Sequence, residues 1–118
     1  MLFYTKILAD TKGDYMKTLI VIPALNPPLD LIKYIEKLRL SGLENILIVD
    51  DGSRPEFKNI FENLRDEQGC QILTHAKNLG KGRALKNAFN YFMTMPNVEE
   101  YNGIVTADSD GQHRVEDV

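Results

Sequence analysis

Four short apolar runs of strand length punctuate the chain: Leu19 to Ala24, Ile46 to Val49, Cys70 to Thr74 and Gly103 to Ala107. Their β-branched content and unbroken character suit strands covered on both faces, as in a parallel sheet, better than the alternation of a half-exposed one. Between them the period becomes helical. Pro28 opens a segment that carries Leu31, Ile32, Ile35 and Leu38 before Gly42 stops it; Ser53, with Pro55 just inside, opens another that carries Phe57, Ile60, Phe61 and Leu64. A third holds Ala84, Leu85, Ala88, Phe89 and Phe92 on one side and Lys81, Arg83, Lys86 and Asn87 elsewhere, with Pro96 as its stop. The resulting order, β-α-β-α-β-α-β, predicts right-handed crossovers and an α/β fold: a Rossmann-like three-layer sandwich with a mainly parallel sheet of about four strands and flanking helices.

Met16 stands directly before the first strand signal, so residues 1–15 read as an N-terminal extension and 16–118 as the folded unit. The apolar start, Met1 to Ala9, is interrupted by Lys6 and has no basic region ahead of it, unlike a signal peptide. After the fourth strand only Asp108 to Val118 remain, and they open as an acidic, glycine-containing loop. Four parallel strands followed by a loop suggest the first half of a larger, here truncated, α/β domain. The fourth strand is then expected to present an open edge that favours self-association.

Length and composition narrow the function classes. A chain of 118 residues, 43% hydrophobic and 26% charged, has the balance of one ordinary folded domain or part of one. The longest apolar run, Leu19 to Leu25, has 7 residues where a membrane-spanning helix needs about 20, so no membrane segment is expected in this chain. A net charge of −3 gives no global reason to bind nucleic acid or an anionic membrane. The single cysteine, Cys70, can form no internal disulfide, which suits a reducing cytosol, and at a strand start it reads as a small buried hydrophobe.

The chemically distinctive residues fall at the carboxyl ends of the four strands, where ligands of open parallel sheets collect. The first strand runs into Pro23-Ala24-Leu25-Asn26, the second into Asp50-Asp51-Gly52-Ser53, the third into a loop from His75 to Arg83, and the fourth into Asp108-Ser109-Asp110-Gly111-Gln112-His113. Asp50 and Asp51 can accept hydrogen bonds from a nucleobase imide or a ribose hydroxyl; equally, Asp51 and Ser53 can simply shape the turn into the next helix. Asp108 and Asp110 offer oxygen ligands suited to Mg²⁺ or Mn²⁺, or form a solvated acidic turn. From Gln68 to Val98 no acidic residue occurs, while Lys77, Lys81, Arg83 and Lys86 do, which reads as a local anion site centred on Lys81 or as a solvated helix face, the latter favoured for Lys86. Gly80 and Gly82 bracket Lys81 at a helix entry, where backbone amides and an ammonium group both favour a phosphate. Neither the dinucleotide fingerprint nor the P-loop pattern is present. His75 and His113 each lack a second histidine at metal-site spacing and read as ordinary loop residues, and no Ser-His-Asp arrangement is apparent.

Val21-Ile22-Pro23-Ala24-Leu25-Asn26, Val49-Asp50-Asp51-Gly52-Ser53, Asn78-Leu79-Gly80-Lys81-Gly82-Arg83-Ala84-Leu85-Lys86-Asn87-Ala88 and Ala107-Asp108-Ser109-Asp110-Gly111-Gln112-His113 resemble, in order and spacing, the N-terminal half of glycosyltransferase family 2. The resemblance covers residues 17–118. It implies a GT-A fold, a UDP- or GDP-sugar donor, a divalent metal held by a D-x-D motif, and inverting transfer of the sugar to polyprenyl phosphate, polysaccharide or a similar acceptor. On this resemblance Pro23, Ala24 and Leu25 line the base pocket, Asp51 meets the base with Asp50 in support, and Lys81 approaches the base or diphosphate. Asn78, Gly80 and Ser109 belong to the same nucleotide set; Asp108 faces the ribose or sugar, and with Asp110, the principal ligand, holds the metal. Leu25 and Pro27 depart from the family, which often has an aromatic before its asparagine and an acidic residue after it. The family's acidic base lies in its second half, so no catalytic residue is assigned here, and Glu116 and Asp117 do not fill that role. The implied site of action is cytoplasmic, including the cytoplasmic face of a membrane for a longer protein.

Three other readings compete, and features of the chain argue against the first two. A phosphoacceptor receiver would place its acidic pair after the first strand and four more β-α units behind it, whereas only 67 residues follow Asp51. A sugar-nucleotide pyrophosphorylase would want a basic, glycine-rich loop where Leu25-Asn26-Pro27-Pro28 stands. A non-catalytic nucleotide-binding domain would share every feature above.

Overall fold

The computed structural model describes residues 3–5 and 17–109. The four predicted strands form as β2 (Lys17–Ala24), β3 (Ile46–Asp50), β4 (Gln71–Thr74) and β5 (Tyr101–Thr106). A further short strand, β1 (Phe3–Thr5), precedes them. The predicted helices are α1 (Asp30–Leu40), α2 (Lys58–Asp66) and α3 (Lys81–Met93). Across the sheet the order is β1-β5-β2-β3-β4, with β5, β2, β3 and β4 parallel and β1 antiparallel to β5.

Alternation along the strands sorts the core into two layers. Ile20, Ile22, Ile46, Ile48 and Val105 face one side, where Leu31, Ile35 and Leu38 of α1 and Phe61 and Leu64 of α2 cover them. Leu19, Val21, Leu47, Val49 and Ile104 face the other, beneath Ala84, Ala88 and Phe92 of α3. Chain direction explains the division. From β2 to β4 the strands advance one way, but β4 to β5 returns past β2, and a right-handed crossover in the reverse direction must pass over the opposite face.

Helix ends follow local chemistry. Gly42 has φ +91°, and Leu43 N–H to Leu38 O (3.0 Å) with Gly42 N–H to Arg39 O (2.9 Å) closes α1 in a Schellman arrangement. The segment opened by Ser53 is not one helix. Arg54 is extended before Pro55, a 3₁₀ turn covers Pro55–Phe57, and α2 starts only at Lys58.

Two expectations about the sheet change. Within residues 1–15, β1 joins the sheet, pairing Phe3 with Thr106, Tyr4 with Val105 and Thr5 with Ile104. The open edge expected on the fourth parallel strand is therefore occupied along Ile104–Thr106, and on that side the sheet ends on β1. The strand with exposed residues is β4, where Gln71 and Thr74 are exposed and Ile72 and Leu73 half-buried, rather than covered on both faces.

Candidate functional site

The switch in strand order lies between β5 and β2, and the loops leaving the sheet open into a cleft there. Backbone hydrogen bonds continue the parallel ladder past the strand ends and hold these loops in place: Asp51 N–H to Ala24 O (2.9 Å), His75 N–H to Asp50 O (2.8 Å) and Ala107 N–H to Val21 O (3.0 Å). The cleft has a volume of about 420 Å³. Pro23 and Ala24 at the end of β2 and Leu25 just beyond it form one wall, Asp51 enters after β3, Asn78, Gly80 and Lys81 after β4, and Asp108 and Ser109 after β5.

Asp50 is the exception among the residues expected there. Strand alternation turns it to the α2 side of the sheet, where it lines a separate groove with Arg54, Lys58, Glu62 and Arg65, and its Oδ1 accepts Ser53 N–H at 2.9 Å. Asp110 and His113 lie outside the described residues.

Asp51 is the best-anchored side chain of the cleft. Its Oδ1 accepts Leu79 N–H at 3.0 Å and stands 2.9 Å from His75 Nδ1; its Oδ2 accepts Gly80 N–H at 3.0 Å. His75 Nε2 in turn lies 2.9 Å from Asn87 Nδ2 on α3. The side chains of His75 and Asp51 are 8% and 6% exposed, so His75, read from the sequence as an ordinary loop residue, is a buried partner of Asp51. Register makes them neighbours: Asp50 pairs with Thr74, and one residue further on Asp51 and His75 stand side by side toward α3.

Glycine and asparagine shape the loops around this carboxylate. Gly52 has φ +78°, and a Cβ there would sit 2.2 Å from the carbonyl carbon of Lys77 and 2.3 Å from Asn78 N. The close approach of these two loops therefore needs glycine. Gly80, at φ +95°, precedes the first residue of α3 and presents its N–H to Asp51 and also to Asn78 Oδ1 (2.9 Å). Asn26, at φ +48°, ties the β2 and β3 loops together: its N–H donates to Ser53 Oγ and its Oδ1 accepts Arg54 N–H, both at 2.9 Å.

Lys81 and Asp108 face each other, Nζ to Oδ1 at 2.5 Å. Partial burial alone would raise the Asp108 pKa, yet the hydrogen bond and charge of Lys81 help hold the carboxyl at about 2. Asp108 is thus ionised at neutral pH. An ionised carboxylate and the Ser109 hydroxyl at a cleft mouth are oxygen donors of the kind that Mg²⁺ or Mn²⁺ prefers, and His75 is already committed to Asp51 and Asn87, so the donor set fits a hard cation. Among the described residues no three His, Cys, Asp or Glu side chains gather into a metal cluster. No described helix is long and apolar enough to cross a membrane.

Known proteins align with this architecture. The solved S. aureus TarS, residues 1–349, superposes with a TM-score of 0.53 at 24% identity, covering 80% of this chain and 28% of that one. The layered sheet is the GT-A, Rossmann-like fold. The uncharacterized protein MJ1222 of Methanocaldococcus jannaschii is 31% identical over 100 residues, which is 84% of this chain but 37% of that protein's length. The chain thus spans little more than a third of this relative. The family description Glycosyl transferase family 2 matches residues 19–118, from the second strand to the last residue, and the chain belongs to that family.

Proposed function

We propose that this chain supplies the donor-binding half of an inverting glycosyltransferase, with a UDP- or GDP-sugar as donor and polyprenyl phosphate, polysaccharide or a similar acceptor. The observation that carries the proposal is the cleft at the switch point, where a buried carboxylate, a glycine-flanked helix entry bearing Lys81, and Asp108 share one space. In this reading Pro23, Ala24 and Leu25 receive the base and Asp51 accepts a hydrogen bond from it. Lys81 and the first amides of α3 meet the diphosphate, since both favour negative charge. Asp108 and Asp110 hold Mg²⁺ or Mn²⁺, which when bound stabilises the departing nucleoside diphosphate.

Where the acceptor is a hydroxyl, as on a polysaccharide, a base must also deprotonate it for in-line attack on the anomeric carbon. Among the described residues no cleft carboxylate is left for this role: three donors already hold Asp51, whose remaining acceptor position goes to the nucleobase in this reading, and Asp108 pairs with Lys81. We therefore assign the base to sequence beyond the matched third of the longer relatives, and the 118-residue chain binds donor without turning it over. Calorimetric titration with UDP and with GDP in the presence of Mn²⁺ tests this. Saturable heat at micromolar to millimolar nucleotide is expected, with no sugar transfer by the chain alone. A folded chain that gives no heat at millimolar nucleotide would remove the donor assignment, and turnover would remove the division of labour.

A further inference from the structure

We propose that His75 is a positioning residue of the donor site, fixing the Asp51 carboxylate through a single imidazole tautomer. The inference rests on the nucleotide reading of the cleft. Asn87 Nδ2 donates to His75 Nε2 at 2.9 Å, which leaves the proton of a neutral imidazole on Nδ1, 2.9 Å from Asp51 Oδ1. Three donors then hold one carboxylate: the imidazole and Leu79 N–H on Oδ1, and Gly80 N–H on Oδ2. A carboxylate accommodates about four, so one acceptor position remains, and Asp51 lines the cleft beside Gly80. His75 and Asn87 do not line it, so they act on a ligand only through Asp51. Without the Nδ1 proton, Oδ1 keeps only Leu79 N–H, so two donors instead of three hold the carboxylate and its cleft-facing acceptor position is less closely directed.

The two amide replacements of histidine separate this role from packing. In His75→Asn the side-chain NH₂ stands where Nδ1–H stood, and in His75→Gln it reaches toward the Nε2 position. Asparagine leaves the larger void, so stability follows the order wild type, His75→Gln, His75→Asn if His75 serves packing alone. Between the two variants, nucleotide affinity is expected in the opposite order. With UDP or GDP and Mn²⁺ on the 118-residue chain, His75→Asn binds within about threefold of wild type, while His75→Gln binds about tenfold or more weakly, the loss expected for one hydrogen bond to a charged acceptor. Imidazole ¹⁵N–¹H correlation spectra of the ligand-free wild type should show the Nδ1–H tautomer. Equal affinities for the two folded variants, or an Nε2–H tautomer, would overturn the inference. A wild-type chain that shows the Nδ1–H tautomer but binds no nucleotide would instead overturn the donor reading beneath it.

Discussion

A methyl group on Gly52 would overlap the Lys77–Asn78 peptide at 2.2 Å, while one on Gly42 would meet nothing within 4 Å. Both positions have positive φ, +78° and +91°, so alanine at either costs about 1–2 kcal/mol in backbone conformation. Only at Gly52 does a backbone clash add to it. Gly52→Ala is expected to destabilise the chain by about 3 kcal/mol or more and Gly42→Ala by about 1–2, read from urea midpoints at constant slope. Equal losses would mean that the two loops separate freely. At this scale the cleft was largely legible: strand-end position and the local excess of cations pointed to Asp51, Asn78, Gly80, Lys81 and Asp108, and the family resemblance added the wall at the end of β2. The pleat was overlooked for Asp50, since consecutive residues at a strand end cannot face the same side. His75 was illegible for another reason. Its partner Asp51 is remote in sequence, and only the β3–β4 register brings the two together.

Elements that depend on a strong period were legible, and those set by one or two residues were not. The four parallel strands and three helices appear close to where the apolar pattern places them, because all but β4 bury an apolar face, α2 starting only at Lys58. β1 has three residues, too few for a period, and gains its place only by pairing with β5. β4 carries strand-forming residues yet sits with its ends exposed, since composition reports propensity rather than position in the sheet. On α3 the buried face is Ala84, Ala88 and Phe92, two small residues and one large one. The alanines let the helix lie close over Val21 and Val49, and Phe92 fills the wider end against Tyr101, edge to face with ring centroids 5.4 Å apart. Ala88→Leu should therefore cost about 1–3 kcal/mol by overpacking, and Phe92→Ala about 3–5 by leaving a cavity. Thermal melts of both variants check this, and a neutral Ala88→Leu would show that α3 stands farther from the sheet.

For the molecule as a whole, reversal of strand order gathers the loops at one mouth, and there Lys81 neutralises Asp108 across the cleft. The Asp108 carboxyl ordinarily titrates near 3.8 and is held at about 2 in the folded chain. A depressed folded-state pKa means that Asp108 adds stability above the unfolded value, and that this addition fades as pH falls from about 4 through about 2. Lys81→Met should move the Asp108 titration back toward 3.8, followed by its side-chain carboxyl carbon resonance in the metal-free chain, and should shrink that acid-side contribution. The same substitution tests how charge is shared when ligands arrive. Lys81 and a divalent cation both seek Asp108, whereas Lys81 and the cation both attract a diphosphate. Removing the ammonium should therefore tighten Mn²⁺ alone and weaken nucleotide alone. In wild type each ligand should strengthen the other by one common factor, as linkage requires, because a diphosphate draws Lys81 away and frees the carboxylate for the metal. Mn²⁺ binding followed by electron paramagnetic resonance, with and without UDP, measures that factor. An Mn²⁺ affinity unchanged by Lys81→Met would show that the ammonium does not compete for Asp108, and the two charges would then serve the cleft independently.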